Sequence, residues 1–318
     1  MTNEPQHIGV IDPINPAIKR VKQMLFKPFD LARWFNIGFC AWLAYLFSGG
    51  FPNFYRGQHD GGIHPGAVLG QAKEFVLNNI VWVLPLIIGG GVLIIALALV
   101  VAWIRSRGEF MFLHCVAMNK DEVESPWHKF REHANSLFLF RIVLGIIGVV
   151  VTGMFILPII LLIVLVAAKS GDGLNLMLVA SIVLLVLLFF VVIICLMLVR
   201  KFTIDFVVPI MFLRTTSCVE GWREFLQLLG GRKGAFALYV LFQIVIAMAI
   251  SVIVIAAICL TCCCACCVMM IPYLGTVLLL PILVFERAYS VYYLRQFGPQ
   301  FDVFAGETIP PVPPPQVV

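Results

Sequence analysis

Charge is what this sequence has least of. Only 12% of its 318 residues are Asp, Glu, Lys or Arg, against 61% hydrophobic residues and a mean hydropathy of +1.01. A soluble domain carries about twice that share of charge. An apolar excess of this size cannot be hidden in a water-soluble core, so the soluble globular classes are excluded. Catalytic signatures are missing as well. The chain has no glycine-rich phosphate loop, no Ser-His-Asp order with elbow glycines and no His-Glu-x-x-His. No enzyme and no cofactor are expected. The first thirty residues hold no apolar core of the secretory type, so no leader is expected to be cut away and the first span is expected to stay as an anchor.

What is present in abundance is long apolar runs. A backbone in lipid must satisfy its own hydrogen bonds, which leaves helices or a closed barrel. These runs are too long for barrel strands, so they read as helices. Six are expected: Leu31–Phe47, Phe75–Trp103, Leu137–Ala168, Leu174–Val199, Ala235–Val268 and Pro272–Leu294. The expected fold is an all-α, polytopic membrane helical bundle. Its six transmembrane helices form three hairpin-like repeats with interfacial amphipathic helices. Residues 1–30 are a cytoplasmic N-terminus, 31–297 the transmembrane domain, and 298–318 a disordered Pro-rich cytoplasmic tail that contains PPVPPP.

Orientation follows from the basic residues. With the N-terminus inside, 19 of the 22 Lys and Arg fall on the cytoplasmic side and only Arg56, Lys73 and Lys169 outside. Both termini are therefore expected in the cytoplasm. The net charge of +5 follows from that topology and implies no nucleic-acid partner.

The N-terminal segment has its own pattern. Asn15 and Pro16 read as a helix start. Ile18, Val21, Leu25 and Phe26 share one face and Lys19, Arg20, Lys22 and Lys27 crowd the other, as in a helix lying on the inner leaflet. Pro28 ends it, Asp30 caps the first span, and Phe29 and Trp34 form a hydrophobic staple.

Two cytoplasmic segments repeat one plan. EFMFLHCVAMNKDEVESPWHKF ends at Phe130 and DFVVPIMFLRTTSCVEGWREF at Phe225. Each opens with an acid and Phe and closes on Trp-x-x-Phe. Ser217 and Glu220 read as a capping box for a short helix that Gly230 and Gly231 terminate; Ser125 and Pro126 start its counterpart. The spacing from Pro281 to Phe297 repeats that from Pro209 to Phe225. DFVVPIMFLR with GWREF, and IPYLGTVLLLPILVFERAYSVYYLRQFG, resemble an uncharacterised family of bacterial six-span proteins. That family is distantly similar to the membrane domain found beside glycerophosphodiester phosphodiesterases. The resemblance implies a bacterial inner membrane and brings no activity with it.

Candidate site residues are few. CLTCCCACC places Cys259, Cys262, Cys263 and Cys266 on one helical face at the outer end of the fifth run. Small apolar packing is the expected role; copper(I) or zinc ligation and a disulfide are the alternatives. Glu286 lies about 20 Å into the sixth helix, where a charge needs a partner. Arg141, Arg200 and Arg287 are the candidates, and a proton or headgroup site is the functional alternative. Gln243 is an amide deep in the fifth run, suited to an interhelical hydrogen bond. In the glycine-rich 49–73 loop, His59, Asp60 and His64 form a weak metal signal. PLIIGGG from Pro85 and Pro158 are expected to interrupt the second and third helices. Three function classes remain: an accessory or scaffold subunit for membrane lipids, a partner membrane protein or a second copy; a small transporter or lipid permease; and an outer-facing metal or redox sensor built on the cysteines.

Overall fold

The structure is a computed structural model that describes residues 8–46, 80–121, 123–168, 176–261, 269 and 271–306. Among these residues the chain is all-α. The first elements are α1 (Ile14–Val21), prolonged by a π turn over Lys22–Phe26, α2 (Leu31–Tyr45) and α3 (Ile80–Met118). Then come α4 (Glu124–Lys129), α5 (Arg131–Ala168) and α6 (Leu176–Phe202). A second π turn, Thr203–Val207, joins α6 to α7 (Val208–Arg214). The chain continues through α8 (Cys218–Gly231), α9 (Lys233–Leu260), α10 (Pro272–Leu278) and α11 (Leu280–Arg295).

Four stretches are long and apolar enough to cross a membrane: Trp82–Met118, Arg131–Val164, Met177–Arg214 and Lys233–Leu260. The first and sixth expected runs take other forms. α2 has 15 residues, about 22 Å, against a hydrocarbon core of about 30 Å. The sixth run divides at Leu279 into α10 and α11. Pro281 explains the division: it offers no N–H to the Val277 carbonyl and crowds the backbone before it. Pro85 and Pro158 behave differently from expectation. Each lies inside one continuous helix, α3 or α5, because a single missing bond is tolerated where lipid makes every other backbone bond obligatory.

The buried residues gather at one end of the bundle. They come from α2, the last third of α3, the start of α5, the second π turn, α7, and α11. α2 packs along α3 and α5 along α6. The contact between α2 and α3 is close enough that a Cβ on Gly108 would stand 2.5 Å from the backbone of Leu43 and Ala44. The acid-Phe motifs build matching contacts: Phe110 stacks on Phe130 at 5.9 Å and Phe206 on Phe225 at 5.4 Å. Away from this packed end, the apolar side chains of α3, α5, α6 and α9 are largely exposed, from Trp82, Val150 and Leu184 to Ile253.

Several local expectations can be compared directly. Asp30 accepts from Ala32 N at 2.9 Å, Phe29 meets Trp34 at 5.8 Å, and Ser217 and Glu220 make both bonds of the capping box. α1 instead starts at Ile14 after Pro13, and α4 at Glu124 after Val123, neither with a side-chain cap. The two faces expected of α1 are also different. Ile18 is exposed while Arg20 is buried and donates to the Val116 and Ala117 carbonyls at 2.9 and 2.8 Å. Those carbonyls end α3 and have no intrahelical partner, so a guanidinium gains more there than on the surface. Arg33 reaches the Asn119 carbonyl at the same helix end.

The chain ends also join the packed body. Gln296 exchanges hydrogen bonds with Gly9 at 2.9 and 3.0 Å. Phe301 and Val303 are buried, so the ordered body runs past residue 298. PPVPPP, the 49–73 loop, Cys262, Cys263 and Cys266 lie outside the described residues.

Candidate functional site: a charged cleft

Three of the four long helices bring charge to the packed end. α3 carries Arg105 and Glu109, α5 Arg141, and α6 Arg200 and Lys201; α11 adds Glu286 and Arg287. Glu109 is 3% exposed and sits between two guanidinium groups. Its Oε1 lies 3.1 Å from Arg141 Nη2, and its Oε2 lies 3.8 Å from Arg287 Nη2. Arg141 also donates to Ser106 Oγ at 3.2 Å. Arg287 donates from Nη1 to the Ile204 carbonyl in the second π turn at 2.6 Å. Wide turns of this kind recur at functional sites.

A second polar chain lies beside the first. Gln243 Nε2 donates to Tyr239 Oη at 2.9 Å. The Tyr239 hydroxyl donates to Asp205 at 3.0 Å, and Asp205 pairs with Lys201 at 3.0 Å. Gln243 itself bonds within α9, to Tyr239 one turn earlier, and not to another helix as expected; Tyr239 is the residue that crosses to Asp205.

These groups border two adjoining clefts. One, of about 670 Å3, lies between α3, α5 and α6. Arg105, Arg141 and Arg200 stand at its packed end, and Ile94, Leu97 and Leu144 continue it along the helices. From Arg105 to Ile94 is eleven residues, about 16 Å along α3. The other, of about 490 Å3, is bordered by Tyr45, Asp205, Gln243, Glu286 and Arg287. Arg105 and Arg200 border both clefts and mark their junction.

The structure brings Arg141, Gln243 and Glu286 to this end of the bundle. The ion pair expected of Glu286 with Arg141, Arg200 or Arg287 is not formed; Glu109 holds Arg141 and Arg287 instead. Among the described residues Glu286 has no ion pair; Lys201 and Asp205 are the charged groups that act on it. Cys259 is exposed near the far end of α9, so it does not join the cleft. Among the described residues no group of three or more His, Cys, Asp and Glu side chains is placed to hold a metal ion.

Sequence reasoning missed Glu109, Tyr239, Arg105 and Lys201 as site residues. One signal for Glu109 was present: it opens the same acid-Phe motif as Asp205, and both acids hold a basic partner. None of the curated proteins and none of the solved structures compared matches the chain. A family model matches residues 8–304, almost the whole of the chain, and on that match the protein belongs to the family of unknown function DUF7544.

Proposed function

We propose that the protein is a multi-pass integral membrane protein that binds a membrane amphiphile, without chemistry, as an accessory or scaffold subunit. In this reading the four long helices are joined by two shorter crossing segments, α2 and the α10–α11 pair. That gives six spans in three hairpins. The matched Phe110–Phe130 and Phe206–Phe225 stacks support the repeat. The inner membrane of a bacterium rests on the resemblance alone.

One observation carries the reading: the larger cleft is itself amphipathic along the helix axes. Its packed end holds three arginines and its remaining walls are apolar. A solute without a tail would leave the apolar walls unmatched, and a hydrocarbon without a head would leave the arginines unmatched. The test is gentle purification followed by native mass spectrometry. Lipid retained at about one molecule per chain supports the reading, and a chain that releases all lipid without loss of stability overturns it.

A second reading has its own observation. Gln243, Tyr239, Asp205 and Lys201 form a continuous polar chain; Gln243, Asp205 and Lys201 border the same cleft as Glu286, and Tyr239 is buried behind it. Such chains carry protons in transporters. Proton-coupled solute flux into liposomes, lost in Glu286→Gln, would favour a permease over a scaffold.

A further inference from the structure

The charge around the junction does not balance. Arg105, Arg141, Arg200, Lys201 and Arg287 are five cations. Glu109, Asp205 and Glu286 are three carboxylates. Two positive charges are left over. Arg105, Arg141 and Arg200 also lie within Coulombic reach of one another. Like charges gathered at membrane depth are costly and call for a counter-charge.

The internal partners are already committed. Asp205 is taken by Lys201 and Tyr239. Glu109 serves Arg141 closely and Arg287 only at 3.8 Å. Arg287, 3% exposed, has no hydrogen-bond partner for Nε or Nη2 among the described residues. Arg105 spends its Nε on the Ala44 carbonyl at 3.0 Å, and its two terminal nitrogens make no bond among the described residues. Arg200, at the junction, has neither an ion pair nor a hydrogen bond among them. Glu286 borders the smaller cleft and forms no ion pair with Arg105 or Arg200 among the described residues.

We propose that the junction is a seat for a phosphate oxyanion, held between Arg105 and Arg200, with the phosphate belonging to an acidic phospholipid. The proposal rests on the amphiphile reading above and names its head. Guanidinium forks match phosphate oxygens with paired hydrogen bonds. A phosphomonoester carries about −1.5 to −2 at neutral pH, which meets the surplus of two. A fatty acid offers one charge and two oxygens. A phosphocholine head cancels its own charge. The apolar walls from Leu97 to Ile94 and at Leu144 then receive the acyl chain.

The experiment measures binding of defined lipids to the full chain in detergent, by native mass spectrometry and by the shift in unfolding temperature. The probes are phosphatidic acid, phosphatidylglycerol, phosphatidylcholine, palmitate and inorganic phosphate. The expected order is phosphatidic acid, then phosphatidylglycerol, with phosphatidylcholine and palmitate at least tenfold weaker. Arg200→Gln, at an exposed position, should fold normally and weaken phosphatidic acid about tenfold; Arg200→Lys should recover part. Arg105→Lys keeps the charge and serves as the second variant.

Equal binding of all lipids would overturn the phosphate seat while leaving the amphiphile reading standing. So would phosphatidic acid binding that Arg200→Gln and Arg105→Lys both leave unchanged. An Arg200-dependent shift with inorganic phosphate alone, and none with lipid, would keep the seat and overturn the amphiphile. No binding of any probe would overturn both.

Discussion

Glu109 and Glu286 are two carboxylates at the same end of the bundle with opposite surroundings. Glu109 is buried between Arg141 and Arg287, while Glu286 is half-buried and has no ion pair among the described residues. Removing one partner of a buried ion pair leaves the others unpaired, at about 3–5 kcal/mol. Glu109→Gln should therefore lower the unfolding midpoint in detergent steeply. Glu286→Gln removes a charge that pairs with nothing, and should leave stability within about 0.5 kcal/mol. Thermal or SDS unfolding of the two variants side by side checks the contrast; equal losses would contradict it. For the buried ion pair the sequence pointed to Glu286 and not to Glu109, for a physical reason. Depth counting singles out a charge inside an apolar run, and Glu286 is one. Glu109 follows Trp103, where the second run was expected to leave the membrane. Nothing in the sequence shows that α3 runs on to Met118 while staying inside the packed body.

At the scale of elements, long apolar runs and the caps at Asp30 and Ser217 were legible; the starts of α1 and α4 and the breaks were not. Apolar length alone selects α3, α5, α6 and α9, and a capping box needs only neighbouring residues. A proline is ambiguous, because whether it divides a helix depends on what packs around it. Pro281 divides one and Pro158 does not. Close approach is equally invisible in sequence. Gly108 faces the α2 backbone, so a methyl group there meets atoms that cannot rotate away. Gly108→Ala should cost about 1–3 kcal/mol or more, whereas Gly145→Ala, with nothing within 4 Å of the new carbon, should be neutral by the same unfolding assay. α8 offers a pH test. The Ser217 backbone and hydroxyl hold the Glu220 carboxyl below its ordinary value of 4.5. A depressed carboxylate stabilises the folded state above its unfolded pKa, and that contribution fades as pH falls through the folded one. Amide protection at residues 218–231, taken relative to the intrinsic exchange at each pH, should fall as pH drops below 4.5, and Glu220→Gln should remove that dependence. An identical pH profile in the variant would rule the capping box out as the cause.

The whole molecule has a packed, charged end and an apolar, exposed end. Cys259 lies 26 residues after Lys233, about 39 Å up α9, at the end where no cleft charge is found. If the cysteine cluster beyond it is apolar filler, replacing Cys262, Cys263, Cys266 and Cys267 with alanine should leave yield and unfolding midpoint unchanged. Stoichiometric metal in the purified protein, lost in that variant, would show a ligand set instead. The final test concerns which side the packed end faces. The cleft's Arg105, Arg141, Arg200, Lys201 and Arg287 all stand at that end, as do Arg20 of α1 and Arg33 of α2, which donate to carbonyls where α3 ends. They belong to the 19 basic residues that the charge bias assigns to the cytoplasm, against 3 outside. Single cysteines added in the 49–73 loop of a cysteine-free background should therefore react with an impermeant maleimide applied from outside. Cysteines placed beside Trp127 and Trp222 should react only after the membrane is opened. The reverse pattern would invert the molecule and place the arginine junction in the outer leaflet, where the lipid it takes would have to come from the opposite side.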